Sequence, residues 1–170
     1  MNRFFDALYG INKALAVLSG VLLGLTAIVI ALDVIARTVG LQPPPWTIAG
    51  SEFIMLYVTV LGAPYMVRIK GHVFVEALIM TLPARARRVI EKIIYALCLA
   101  LSLFLAWYAL NATINAFATG DFDMRGFDMP WGWVYGPMTL GLVLTGLEFL
   151  RYLIGSDSMY ADDAIARDSF

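Results

Sequence analysis

Side chains able to act as acid, base, nucleophile or metal ligand are scarce in this chain: one histidine, His72, one cysteine, Cys98, and a few carboxylates beside apolar runs. His72 and Glu76 stand four residues apart and would share one side of a helix, a geometry suited to a proton relay or to gripping a lipid headgroup. Cys98 lies inside an apolar run, where a lone thiol forms neither an internal disulfide nor a CxxC redox pair. There is no P-loop, no GxSxG and no ligand spacing of the kind zinc or haem requires. No catalytic, substrate-binding or metal-binding residue is therefore assigned, and the chain is not expected to be an enzyme.

The remaining ionisable groups of interest fall at the margins of apolar segments. Asp33 and Arg37 are one helical turn apart, the spacing of an intrahelical ion pair. Glu52 has two readings: an interfacial carboxylate that reaches water, or a buried group neutralised by Arg37 or by another polypeptide. Glu148 and Arg151 read as a pair snorkelling at an inner boundary.

These groups must be positioned by lipid-embedded helices. The chain has 170 residues, 61% hydrophobic and 15% charged, where a soluble domain carries about 25% charged residues. One small core cannot hide that excess, so lipid is the expected solvent. A net charge of −1, with no basic face interleaved with exposed aromatics, argues against nucleic acid as a partner.

Four spans are expected, at about 14–37, 48–67, 93–117 and 133–154, forming one membrane domain over residues 1–155. The second follows the Pro43-Pro44-Pro45 break, and the fourth contains Pro137, which starts or kinks it. Of the twelve Lys and Arg residues, ten fall in the amino tail, the 68–92 loop and the carboxyl tail, against Arg37 and Arg125 on the other side. That asymmetry places both termini and the basic loop in the cytoplasm. Trp46, Trp107, Trp131 and Trp133 are expected near the outer ends of the spans.

Residues 71–83 are too short to cross and are expected to lie in the interface as an in-plane arm ended by Pro83. Residues 156–170, with four aspartates, form a polar cytoplasmic tail. Gly20 and Gly24 make a GxxxG run whose small face serves either internal packing or a subunit interface. The outer loop carries Asp121, Asp123 and Asp128, an acidic face that could meet a soluble partner.

Several segments, in this order, resemble the small DctQ-type membrane subunit of tripartite ATP-independent periplasmic (TRAP) transporters. They are DVIAR (33–37), Trp46, Glu52, LGAPYMVRIKGHVFVE (61–76), LPARARRVIE (82–91) and PWGWVYGPMTLG (130–141). Phe74, Glu76 and Pro64 depart from the family pattern. The resemblance implies an all-α protein of the bacterial inner membrane, with four transmembrane helices and in-plane arms. It would work as a non-enzymatic scaffold in a heterodimer with the large membrane subunit. It also implies sodium-driven uptake of a carboxylate, such as a dicarboxylate or sialic acid, delivered by a periplasmic binding protein. On this reading Asp33, Arg37, Trp46, Glu52, Gly62, Arg68, Gly71, His72, Pro83, Arg85, Trp133 and Pro137 position helices, headgroups or the partner. No cofactor is implied beyond bound phospholipid. The rival is a self-contained, dimeric, proton-coupled exporter using Glu52 as its carrier carboxylate.

Overall fold

In the computed structural model, the structure describes residues 2–70, 83–124, 126 and 128–155, without the side chains of residues 2–4, 84 and 85. The expected arm at 71–83, Gly71 and His72 included and Pro83 excepted, the Arg85 side chain and the tail at 156–170 lie outside that description. Four long helices account for almost all of it: α1 (Asn2–Thr38), α2 (Trp46–Arg68), α3 (Ala84–Thr119) and α4 (Trp131–Ile154). All four are long and apolar enough to cross a membrane. At about 1.5 Å per residue, α2 and α4 measure roughly 35 Å, close to the hydrocarbon thickness, whereas α1 and α3 approach 55 Å and overshoot it.

The helix ends follow local chemistry. Pro45, at φ −61°, occupies the N-cap of α2, where the N–H it lacks would have had no intrahelical partner. Pro83 does the same before α3. At the far end of α3, Gly120 takes the left-handed conformation (φ 67°) and its N–H returns to the Ala116 carbonyl, which is how a glycine closes a helix.

A feature absent from the sequence reading follows α3. Phe122–Asp123 (β1) and Met129–Pro130 (β2) pair antiparallel, Phe122 opposite Pro130 and Asp123 opposite Met129. Gly126, in the turn of this hairpin, has φ +93°, and a Cβ there would lie 2.6 Å from the Pro45 carbonyl oxygen. The turn therefore seats on the proline loop between α1 and α2, and only glycine fits.

The helices stand in an open row, α1, α2, α4, α3, each packed mainly on its neighbours in that order. Two small cores hold the middle pair. Ala49, Phe53 and Val134 pack near the outer end with Leu56, Met129 and Trp131. Val67, Tyr95 and Tyr152 pack near the inner end with Ile94, Phe149 and Leu153. Here "outer" and "inner" name the Trp131 and Arg151 ends of α4.

Both prolines inside helices serve the α2–α4 seam. Pro64 has no N–H to give to Val60, and the Val60 carbonyl instead abuts Gly141 of α4, whose lack of a side chain permits the approach. Pro137 likewise leaves the Trp133 carbonyl without its intrahelical partner, and the Tyr57 hydroxyl of α2 donates to it at 2.8 Å. Each freed carbonyl is thus turned toward the neighbouring helix, where lipid could not have satisfied it.

One expectation needs correction. Trp107 lies twelve residues before the end of α3, about 18 Å along the helix, and is 65% exposed. It faces away from α4 within the apolar stretch and is not an anchor at the outer end. Trp46, Trp131 and Trp133 do sit at the outer ends of their helices.

Candidate functional site

The α1 face turned toward α2 is set by a polar repeat. Asn12, Ser19, Thr26 and Asp33 recur at intervals of seven, and the first three are buried. In lipid this is the physically favoured arrangement, because hydrogen-bonding side chains gain from facing a helix while leucine and isoleucine are at home among acyl chains. Ser19 and Thr26 bond the carbonyls of Leu15 and Leu22 one turn back, at 2.9 Å each. Gly62 of α2 meets Ser19, so the helices approach closely in the inner half of α2. The two end members, Asn12 and Asp33, bond across to other helices.

At the inner end Glu148 of α4 is completely buried. Its carboxylate accepts a 2.7 Å hydrogen bond from Asn12 Nδ2 of α1. Arg68 Nη1, at the last residue of α2, lies 3.4 Å from both oxygens. Arg151 Nε, one turn along α4, donates at 3.2 Å. Arg68 also lies over the Tyr9 ring at 5.1 Å, and Arg151 over Tyr152 at 4.3 Å. One carboxylate therefore holds three helices, with two guanidiniums compensating its burial, the condition under which a buried charge is tolerated.

The same region closes the helix ends. Tyr152 Oη donates to the Val67 and Arg68 carbonyls at 3.3 and 3.0 Å, the last ones of α2. Lys92 Nζ of α3 donates to the carbonyls of Tyr152, Leu153 and Gly155 at 2.7, 2.8 and 2.9 Å. A cation on those orphan carbonyls also complements the negative end of the helix dipole. Arg87 and Glu91 form an ion pair at 3.0 Å on the first turns of α3.

The outer end has a smaller knot. Arg37 Nε donates to Asp33 at 2.7 Å, the expected intrahelical pair. The Thr47 hydroxyl, at the start of α2, lies 2.7 Å from the same carboxylate. Asp33 is thereby a bridge between α1 and α2. Glu52 is exposed on α2, beside Pro45, Ile48 and Ala49, in a recess of about 160 Å3. Arg37 is engaged by Asp33, so the burial of Glu52 against Arg37 is not what the structure contains.

Two sequence readings change. Glu148 and Arg151 do not snorkel as a surface pair, since Glu148 lies at the centre of a three-helix contact. Gly20 and Gly24 are exposed, and nothing lies within 4 Å of a Cβ built on either. The GxxxG run takes no part in packing within the chain, because α1 turns its polar stripe, not its small face, toward α2. Asn12 was missed by sequence reasoning. Its signal was the seven-residue polar repeat, which apolar periodicity conceals.

The polar groups of the inner knot are spent almost entirely on other parts of the same chain, with Asn12 Oδ1 alone among its described side-chain atoms buried without a hydrogen-bond partner. A model of the DctQ component of tripartite ATP-independent periplasmic transporters matches residues 26–157. The chain belongs to this family. No curated protein and no solved structure matches it. The DctQ match takes in Asp33, Arg37, Arg68, Lys92, Glu148 and Arg151, and leaves Tyr9 and Asn12 of the inner knot outside. As a DctQ component, the chain is a small permease subunit of a TRAP transporter, a multi-pass protein of the inner membrane and a member of a transporter family, not an enzyme family.

Proposed function

We propose that this subunit is a fixed brace for the large membrane subunit of its transporter. It would hold and orient that subunit during sodium-coupled uptake of a carboxylate solute, a dicarboxylate or sialic acid, handed over by a periplasmic binding protein. The observation that carries this reading is the inner knot, where Glu148 ties α1, α2 and α4 through Asn12, Arg68 and Arg151. A carboxylate flanked by two guanidiniums ties helices together and, with its net positive charge, is a poor seat for a moving cation. The helices support the same reading, since each runs unbroken through the membrane, whereas subunits that carry solute use half-helices broken at the midplane. Asp33, Arg37, Trp46, Gly62, Arg68, Pro83, Trp133 and Pro137 serve as positioning residues, and bound phospholipid completes the surface.

The rival, a proton-coupled exporter built on Glu52, loses support from the place of that residue. Glu52 stands on the second turn of α2, exposed at its outer end, whereas a carrier carboxylate has to cycle between two sides from within the membrane.

The test is uptake in proteoliposomes containing the large subunit and the binding protein, with and without this chain. Sodium-driven solute accumulation is expected to fall at least tenfold without it, while the binding protein's affinity for solute stays unchanged. Full uptake in its absence, or proton flux from this chain alone that is lost in Glu52→Gln, would overturn the brace. The basic inner segments favour a cytoplasmic position for both termini. A cysteine introduced at Arg87, in a Cys98→Ser background, should resist a membrane-impermeant maleimide in intact cells and react after lysis; labelling in intact cells would reverse that orientation.

A further inference from the structure

The two ends of the helix row differ in a way that bears on assembly. Outward of Tyr95, the α3 surface packed on α4 includes a run of small residues, with Ser102, Ala106, Ala109 and Ala116 buried, and the Thr113 and Thr139 hydroxyls 3.3 Å apart. On the opposite side of α3 lie Phe104, Trp107, Tyr108, Asn111 and Asn115, all exposed. The Phe104 and Tyr108 rings meet at a tilt of 58°, with centroids 4.9 Å apart.

Depth makes the asparagines informative. Twenty residues separate Trp131 from Arg151 on α4, about 30 Å, which is the hydrocarbon thickness. Thr139, eight residues inside Trp131, is level with Thr113, so Thr113 lies roughly 12 Å below the outer boundary. Asn111 lies deeper still, and Asn115 one turn shallower, toward Phe117, which packs over Gly132. Asn111 Nδ2 donates at 2.8 Å to the Trp107 carbonyl one turn back. Asn115 shows only its backbone carbonyl in use, by Thr119, among the described residues. Acyl chains offer a carboxamide no hydrogen bond, so two exposed carboxamides at this depth call for a polar partner in the membrane.

The other end of the row presents the contrary surface. The free side of α1 carries Val17, Gly20, Gly24, Ala27 and Ala31, none with a hydrogen-bonding side chain. It makes no demand for a hydrogen-bonding partner.

We propose that the free edge of α3, centred on Asn111 and Asn115 and flanked by Phe104 and Tyr108, is the docking surface for the large transport subunit, which meets it with a transmembrane helix carrying hydrogen-bonding side chains. The inference rests on the brace reading for the identity of the occupant. It adds which edge does the bracing: α3 is fastened to the rest of the chain by Lys92 at one end and by the threonine pair near the other, so a load taken on its free edge passes straight into α4.

The experiment places a photo-crosslinking benzoylphenylalanine at position 111, 115 or 21, one position at a time, in the full chain co-expressed with its cognate large subunit. Positions 111 and 115 are expected to yield an adduct with the large subunit, and position 21 none. In parallel, the double variant Asn111→Leu, Asn115→Leu should reach the membrane at normal levels yet recover at least tenfold less large subunit through a tag on this chain. An adduct only from position 21, an adduct between two copies of this chain, or undiminished recovery with no adduct at 111 and 115 would each overturn the assignment. Failure of the unaltered chain to co-purify any large membrane subunit would overturn the brace reading itself, and the docking edge with it.

Discussion

Replacing Glu148 with alanine should lower the stability of the subunit in detergent by about 3 to 5 kcal/mol, the range for removing one partner of a buried ion pair. The loss exceeds that of any one hydrogen bond, because Arg68 and Arg151, both mostly buried, are left without their shared counter-charge. Asn12 loses its 2.7 Å bond as well. Glu148→Gln should fall between, keeping an acceptor for Asn12 but no charge for the guanidiniums. A denaturant titration followed by tryptophan fluorescence measures both. The double variant Glu148→Ala, Arg68→Ala tests the cause: if the pair is coupled, its loss is well short of the sum of the single losses. Strict additivity would mean that the two residues stabilise the fold separately.

The second large effect is expected at Gly141. A Cβ there would collide with the Val60 carbonyl, with the carbonyl carbon 2.7 Å away and Val60 Cβ at 3.1 Å. The obstacle is backbone held in a helix, so relief requires α2 and α4 to move apart. Gly141→Ala should therefore destabilise by about 1 to 3 kcal/mol through overpacking, despite the gain of roughly 1 kcal/mol that alanine brings to a helix interior. Gly141→Leu should fail to accumulate in the membrane. Gly24→Ala is the control, since nothing lies within 4 Å of the added methyl, and its thermal midpoint should hold or rise. Equal midpoints for Gly24→Ala and Gly141→Ala would refute the close approach.

The four helices could be read from the sequence because each is an apolar run bounded by prolines, glycine or charge, signals that act locally. The α2 start after Pro45 and the α3 end at Gly120 are of that kind. Arg68, Asp33 and Arg37 stood out for the same reason, as charges at the margins of such runs. Glu148 was misjudged because its visible neighbour, Arg151, is three residues away, while Asn12 and Arg68 are 136 and 80 residues away in sequence. The internal-packing reading of the GxxxG run failed in a related way. Small residues permit close approach but do not compel it, and on α1 the buried polar repeat at 12, 19, 26 and 33 had the stronger claim on the neighbouring helix. The β1–β2 hairpin, two residues per strand, is too brief for any alternation to register.

An open row of four helices is a palisade: it has two broad faces and no inside. Each face meets either hydrocarbon or a second protein, and a molecule of water or solute crossing the membrane beside it would need a far wall that the described residues do not supply. Whatever passes through the assembled transporter must therefore be screened from lipid by the neighbouring polypeptide, with this chain as at most one bank of the stream.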